Sequence, residues 1–288
     1  MNSISIVIPH IARNNNLLIQ NIPYILKNIS PKHIYILTKK ETIEELNTLK
    51  SANITFIDED TVLEGLTFEG IKELLSQINV VQRRTGWFFQ QFLKYAWALK
   101  PEAEEYYITW DSDTFPIQPV SFFQDNKPIF IKKDEYNPAY FETIQRLLNI
   151  NKCIPDSFIA ETMIFKTNIV KEIISKIESN SKLKGNTFYE KILYAIQFSQ
   201  NPCKGYSEFE TYGTYVITNY PDLYTFRQSK GFRNGAKYYG LRPSKKDLSR
   251  ASLKYDIISF ERWNKQIKAF ILFQKMISAF IYMFFHRS

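Results

Sequence analysis

The stretch YYITWDSDTFP, residues 106–116, decides the fold class of this chain of 288 residues. Its first five residues, Tyr106–Trp110, have the aromatic and β-branched composition of a buried strand. They run directly into Asp111-Ser112-Asp113, so two carboxylates stand where the strand ends. Because ligands of open α/β sheets bind at the carboxyl ends of strands, the stretch predicts a polar site at this edge of a sheet.

Strands and helices alternate on both sides of this stretch. Upstream, strands are predicted at residues 4–11, 33–38 and 54–57, and helices at 17–29 and 41–50. Immediately before the stretch, residues 82–99 are predicted to be helical after Gly86. Downstream, the pattern predicts strands at 128–133 and 158–165, helices at 168–177 and 186–197, and a helix start at 207–210. Such alternation is typical of βαβ units. We therefore expect an α/β fold whose mixed, mostly parallel sheet is flanked by helices.

Composition and charge exclude several protein classes. Hydrophobic residues make up 44% of the chain and charged residues 23%, which excludes a disordered or fibrous chain. The net charge is +8, and the sequence from Arg227 onward contains fourteen basic residues but only three acidic ones. Cys153 and Cys203 form no C-x-x-C motif, and no signal-peptide pattern opens the chain. We therefore expect a cytoplasmic protein with a basic C-terminal segment.

The carboxylates of Asp111 and Asp113 are candidate metal ligands. Two carboxylates one residue apart, on a turn that leaves a strand, can face one hard cation such as Mg²⁺ or Mn²⁺. That cation can in turn bind the phosphates of a nucleotide. The alternative interpretation is a solvated turn, which is what an isolated D-x-D triplet usually is. The buried strand in front of this triplet favours the metal site.

Three blocks of the sequence resemble known enzymes. Residues 106–116 resemble the strand and DxD motif of GT-A glycosyltransferases. GWFFQQFLKYAWAL at 86–99 and YSEFETYGTYV at 206–216 resemble little-characterised bacterial GT-A-like enzymes of capsule and lipopolysaccharide loci. The resemblance covers about residues 3–216. It implies a Rossmann-like GT-A domain with a nucleotide-sugar donor, with Asp113 as the main metal ligand and Asp111 contacting the metal or the donor ribose.

The resemblance also directs attention to candidate catalytic carboxylates. The H-x-x-G-x-x-K-P-W block of retaining families is absent, so the expected hexosyltransferase-type reaction is inverting and needs a general base. Glu208 and Glu210, at a predicted helix start, are the first candidates for this base. Ser207 with Glu210 also fits a capping box, which accounts for Glu210 without catalysis. Glu161, inside the predicted strand 158–165, is the other candidate, because a buried carboxylate is costly unless paired or functional.

Contacts to the donor are expected from several parts of the chain. The GT-A resemblance implies that the loop after the first strand and the helix before the DxD strand bind the donor. Basic residues of a late loop would neutralise its diphosphate. The predicted donor-binding residues are Pro9, His10, Arg84, Gln91, Asp111, Ser112, Arg227 and Arg233. The plainer interpretations are a core or turn histidine, an ordinary polar helix face and a generally basic tail.

The C-terminal segment is predicted to bind a membrane. Residues 1–260 are expected to form the GT-A-like domain, and 261–288 a basic amphipathic helix. Lys268 and Lys275 are seven residues apart and share one face, whereas most of the remaining surface is apolar. Such a helix is typical of the anionic inner face of the cytoplasmic membrane, where a glycolipid acceptor also lies. The alternative is a terminal helix that packs on the domain.

Two other functional classes are compatible with the same sequence features. The same carboxylates would suit a metal-dependent nuclease or phosphodiesterase. A non-catalytic sugar- or nucleic-acid-binding protein is the third interpretation. A nucleic-acid partner is not expected, because the positive charge is concentrated in the tail and no recognition motif is present. The expected partners are a nucleotide-sugar donor, a glycan or glycolipid acceptor such as lipopolysaccharide or capsule, and an anionic membrane surface.

Overall fold

The computed structural model describes residues 4–198, 205–228, 230–264 and residue 267. The helices and strands, in chain order, are β1 (Ser5–Pro9), α1 (Asn15–Asn28), β2 (Ile34–Thr38), α2 (Lys40–Glu45), β3 (Ile54–Asp58), α3 (Phe68–Gln77), α4 (Thr85–Ala96), β4 (Tyr106–Trp110), β5 (Thr114–Pro116), β6 (Phe123–Gln124), β7 (Lys127–Lys132), α5 (Pro138–Leu148), β8 (Thr162–Lys166), α6 (Thr167–Ser179), α7 (Phe188–Ala195), α8 (Glu208–Asn219), β9 (Thr225–Gln228), β10 (Gly231–Phe232), α9 (Gly235–Tyr239), α10 (Lys245–Ala251) and β11 (Ile257–Ser259). They fall into two units that interleave along the chain.

Unit 1 contains the described residues of Met1–Ala12, Pro31–Asp111 and Phe122–Gln228. Its main sheet has the strand order β3-β2-β1-β4-β8. The first four of these strands are parallel, and β8 runs antiparallel to β4. The mixed, mostly parallel sheet with flanking helices is therefore confirmed. A second, three-stranded sheet of unit 1 has the order β6-β7-β9.

The inner strands β1 and β4 and the strand β8 form because their apolar runs are buried on both faces, as is usual for sheets covered by helices. All five residues of β1 are buried. Phe165 in β8 fixes two helices on this sheet. Its ring lies 5.8 Å from that of Tyr95 in α4 and 4.7 Å from that of Tyr212 in α8, measured between ring centroids. These contacts set the position of the helices that carry the candidate site.

Gly213, in the middle of α8, permits a close approach of the chain before β8. A Cβ atom at this position would lie 2.2 Å from Cδ2 of Phe158. Glycine inside a helix costs about 1 kcal/mol relative to alanine. At this position the cost is accepted because a larger residue would clash with the Phe158 ring.

The strand predicted over 158–165 starts only at Thr162, and the prediction that Glu161 lies inside it is wrong. Glu161 lies in the segment that leads into β8.

Unit 2 contains Arg13–Ser30, Ser112–Ser121 and the described residues from 230 onward. Its sheet has the order β10-β11-β5, with β11 antiparallel to β5. The core of this unit is apolar and includes Leu17, Phe115, Ile117, Leu248, Ile258 and Phe260. The chain leaves unit 1 after Asp111 and enters unit 2 at Ser112.

The predicted helix at 261–288 lies outside the described residues, apart from 261–264 and 267. The predicted boundary after residue 260 therefore stays a prediction. Within the part of the chain that the structure describes, no helix is long and apolar enough to cross a lipid bilayer.

Candidate functional site

A buried lysine, Lys94, joins two carboxylates of unit 1. Its Nζ donates to Oδ1 of Asp111 at 3.0 Å and to Oε1 of Glu208 at 2.9 Å. The Lys94 side chain is only 2% exposed. Burial by itself lowers the pKa of Lys94, but the charges of Asp111 and Glu208 and the hydrogen bonds to them outweigh this effect. The pKa of Lys94 therefore lies above its ordinary value, and the side chain is a fixed cation.

One face of α4 holds Glu208 by its backbone as well as by its side chain. Gln91, Lys94 and Tyr95 lie on the same side of the helix because of their spacing. Oε1 of Gln91 accepts from the Glu208 backbone N–H at 3.2 Å, and the Tyr95 hydroxyl donates to the Glu208 carbonyl at 2.9 Å. Glu208 is the first residue of α8, whose first N–H groups have no partner inside the helix. Gln91 satisfies one of them, so Glu208 is held in one position.

Asp111 and Glu161 lie side by side at the carboxyl end of β4, where the pairing of β4 with β8 ends. The backbone N–H of Asp111 donates to the carbonyl of Glu161 at 3.3 Å, just beyond the paired residues Trp110 and Thr162. The Glu161 side chain is buried, and its Oε2 lies 3.5 Å from Nζ of Lys133. Three of the predicted acidic site residues, Asp111, Glu161 and Glu208, are therefore brought to one region of unit 1.

Glu210 has a different environment. Its Oε1 accepts from the Ser157 hydroxyl at 2.5 Å and from the Phe158 backbone N–H at 3.2 Å. The residue is fully buried, and this burial raises the pKa of its carboxyl group. Ser207 caps α8 by accepting from the Glu210 N–H at 3.2 Å, as predicted. In a capping box the Glu210 carboxylate would accept from the backbone N–H of Ser207. Here it instead accepts from Ser157 and Phe158, in the segment that leads to Glu161.

Ser112 and Asp113 belong to unit 2, and their backbone carbonyls have specific partners there. Nδ2 of Asn21 donates to the carbonyl of Ser112, and the Phe260 backbone N–H donates to that of Asp113. Among the described residues, no group of three or more His, Cys, Asp or Glu side chains is arranged to hold a metal ion.

The N-terminal donor-binding candidates lie at two places in unit 1. Pro9 ends β1, and the buried His10 follows it, donating its backbone N–H to the Leu37 carbonyl at 2.8 Å. Both therefore lie at the carboxyl end of a parallel strand. Arg84 precedes α4, with its guanidinium 5.7 Å from the centroid of the Trp87 ring.

The sequence predicted that the basic candidates Arg227 and Arg233 lie on one late loop, and this prediction is wrong. Arg227 lies in β9, opposite Ile131 of β7, so this part of the predicted loop is a strand. Arg233 belongs to unit 2, where its Nε and Nη2 donate to Oε1 of Glu261 at 3.0 and 2.9 Å. Its charge is thus partly balanced within the protein.

Tyr95 is not a predicted site residue, and Lys94 is predicted only as one of the polar residues on the helix before the DxD strand, not as the partner of two carboxylates. A signal for them was present, since Gln91, Lys94 and Tyr95 share one helix face immediately before the DxD strand. The lysine also stands between the apolar residues Leu93 and Tyr95, where a charged side chain needs a partner. Its partner on α8 could not be read from this local pattern.

The mixed, mostly parallel sheet of unit 1 and its flanking helices form an α/β fold, the class of protein that the sequence predicted. The structure of WbbM, a bifunctional glycosyltransferase, is similar with a TM-score of 0.50 and 15% identity, over 91% of this chain and 46% of that one. Mouse xyloside xylosyltransferase 1 gives 0.44 and 10%, over 91% and 99%. The galactosyltransferase LgtC gives 0.44 and 11%, over 89% and 87%. At 15% identity, the similarity to WbbM indicates the fold alone.

The chain belongs to the family DUF6492, described as a family of unknown function, whose profile matches residues 1–236. No curated protein sequence matches it. The chain spans about half, 46%, of the length of WbbM.

Proposed function

We propose that this protein is a glycosyltransferase. It would move a sugar from a nucleotide-sugar donor to a cell-surface glycan or glycolipid such as lipopolysaccharide or capsule. The observation that carries the proposal is the buried Lys94, which joins Asp111 and Glu208 beside the carboxyl end of β4. Buried charges are a costly way to stabilise a fold. Their place at the ligand-binding edge of an α/β sheet therefore supports a catalytic role.

A divalent cation, Mn²⁺ or Mg²⁺, is part of this proposal. Asp111 and Asp113 would hold it, since carboxylate oxygens are the donors that these cations prefer. Their chemistry as hard oxygen donors fits such a cation. When bound, the cation would supply charge stabilisation for the departing nucleoside diphosphate. Pro9 and His10 would contact the nucleoside, and Arg84, Gln91, Ser112, Arg227 and Arg233 complete the proposed donor contacts.

We assign the role of general base to Glu208. In an inverting transfer the base takes the proton of the acceptor hydroxyl while its oxygen bonds to the anomeric carbon and the nucleoside diphosphate leaves. Glu208 shares the Lys94 ammonium with Asp111, one of the proposed donor-binding residues, and this shared contact supports the assignment. Glu161 is the second candidate. Glu210 is assigned a structural role because its carboxylate is buried against Ser157.

The proposed activity is tested by incubating the protein with Mn²⁺ and a panel of nucleotide sugars, and measuring release of nucleoside diphosphate. We expect one donor to be hydrolysed slowly, and faster with a matching acceptor. Glu208→Gln should lower transfer by about 10²–10⁴-fold without changing the donor Kd by more than about twofold. Glu210→Gln, two residues away on the same helix, is the matched control and should retain turnover where it folds.

Three results would contradict parts of this proposal. Loss of transfer in Glu161→Gln together with normal transfer in Glu208→Gln moves the base role to Glu161. Release of nucleotides from DNA or RNA, with no nucleotide sugar hydrolysed, favours a nuclease. No turnover of any substrate with either cation contradicts an enzymatic role.

We also propose that residues 261–288 bind the protein to the anionic inner face of the cytoplasmic membrane. Two apolar side chains at the start of this segment support the proposal, because Trp263 is 69% exposed and Ile267 is 40% exposed. Tryptophan is favoured at the membrane interface. Arg262 donates from Nε to Oδ1 of Asn14 at 2.9 Å, which fixes the beginning of the segment within unit 2.

Charge reversal tests membrane binding with the full chain. We expect Lys268→Glu/Lys275→Glu to weaken binding to phosphatidylglycerol-containing vesicles at least tenfold, since each basic residue near such a surface contributes about 1 kcal/mol. Lys40→Glu/Lys50→Glu changes the net charge equally at exposed positions of unit 1 and is the control. Co-sedimentation measures both. Equal weakening by the two double variants would mean that only overall charge matters, and no binding by the unaltered protein would contradict membrane association.

A further inference from the structure

One residue of α1, Asn21, holds the backbone on both sides of Asp113. Its Nδ2 donates to the carbonyl of Thr114 at 2.6 Å and to the carbonyl of Ser112 at 3.4 Å. The carbonyl between them, that of Asp113, accepts from the backbone N–H of Phe260 at 2.9 Å. Three successive carbonyls of unit 2 therefore have donors.

These bonds fix the direction in which the Asp113 side chain leaves the backbone. A peptide plane cannot rotate without moving its carbonyl, so rotation on either side of Asp113 breaks a hydrogen bond to Asn21 or Phe260. The Thr114 hydroxyl adds a further restraint, since it lies 2.8 Å from the hydroxyl of Ser259. The Asp113 carboxylate is thus presented from a rigid turn, although its own oxygens take no part in these bonds.

Asn21 is an unusual choice for stability alone. Asparagine is a poor residue for a helix interior, and Asn21 is completely buried. Its Oδ1 is also buried and, within the described ranges, accepts no hydrogen bond. A buried acceptor without a donor costs about 1–3 kcal/mol. The residue therefore supplies two hydrogens to the turn at a cost that an apolar side chain would avoid.

We propose that Asn21 is a positioning residue that orients Asp113 toward a divalent cation. The inference rests on the proposed function, in which Asp113 is a metal ligand. Residues that orient a ligand, without touching the metal, typically change metal affinity 10–100-fold when they are replaced.

The chain supplies a matched control in Asn28. It lies seven residues after Asn21, on the same face of α1, and its Nδ2 donates to the carbonyl of Pro116 at 2.6 Å. Both asparagines thus bond α1 to β5, but Asn28 does so three residues beyond Asp113. A purely structural role predicts similar effects for both residues, whereas a positioning role predicts a metal effect for Asn21 alone.

The test compares Asn21→Leu, Asn28→Leu and Asp113→Ala with the unaltered protein. The Kd for Mn²⁺ alone is measured by electron paramagnetic resonance, and Tm by calorimetry. We expect Asn21→Leu to raise the Kd for Mn²⁺ by about 10–100-fold and Asn28→Leu to change it less than about twofold, while both lower Tm. Asn21→Ala replaces the leucine variant if that variant does not fold.

The outcomes separate this inference from the proposed function. Mn²⁺ binding that depends on Asp113 but is unchanged in Asn21→Leu overturns the positioning role alone. So does an equal rise of the Kd in both asparagine variants, or folding of Asn28→Leu while neither Asn21 variant folds. No binding of Mn²⁺ by the unaltered protein contradicts the proposed metal dependence itself, and the positioning role with it.

Discussion

Replacing Lys94 with methionine is expected to lower the free energy of unfolding by about 3–5 kcal/mol. Methionine keeps the length of the side chain but removes the ammonium that Asp111 and Glu208 share. Glu208 is only 5% exposed, so its charge would lose its partner without gaining water. Urea denaturation followed by circular dichroism at neutral pH measures the change.

Two further variants show whether charge is the cause. Lys94→Met/Glu208→Met replaces the buried pair by apolar side chains and should recover much of the stability. Lys191 is the matched control, since it is also buried but donates to the carbonyls of Glu178 and Asn180, each at 2.7 Å. Lys191→Met should cost about 1–3 kcal/mol. An equal loss in Lys94→Met and Lys191→Met would contradict a special role for the shared carboxylates.

Asp113→Ala is expected to reduce Mn²⁺-dependent turnover by on the order of 10³-fold, since a catalytic cation contributes several kcal/mol to transition-state stabilisation. The fold should survive, because the surrounding turn is held through backbone carbonyls that alanine retains. Turnover is measured across a titration of Mn²⁺, with Tm recorded for each variant.

Asp222→Ala, at an exposed position after α8, is the control for loss of an aspartate. It should leave both turnover and Tm unchanged. If Asp113→Ala keeps the same dependence on Mn²⁺ as the unaltered protein, Asp113 is not a metal ligand in the reaction.

The fold could be predicted because its signal is local. Parallel strands buried on both faces need continuous apolar runs, and Tyr106–Trp110 is such a run, followed at once by carboxylates. The start of β8 differs from the prediction because residues 158–160 are apolar for another reason. Phe158 packs against Gly213 of α8, and Glu210 binds the adjoining backbone. Apolar composition alone does not distinguish this packing from a strand.

The centre of the candidate site could be predicted only in part. Asp111 and Glu208 are predicted from their own segments, but the position of Lys94 between them is not. The ion pair of Lys94 with Glu208 joins residues 114 positions apart, so it depends on the packing of α4 against α8. No spacing rule covers such a distance. The base role of Glu208 and the donor contacts therefore stay predictions.

The hydrogen bonds from α4 to Glu208 can form only after both segments of the chain have been synthesised. A ribosome adds about 5–20 residues per second, so Lys94 leaves the peptidyl-transferase centre roughly 6–23 s before Glu208. For most of that interval Asp111 is the only one of the two carboxylate partners of Lys94 that has been synthesised. The charge cluster is thus completed late in translation. A nascent chain that stalls before α8 carries the DxD segment but lacks the glutamate that completes the cluster.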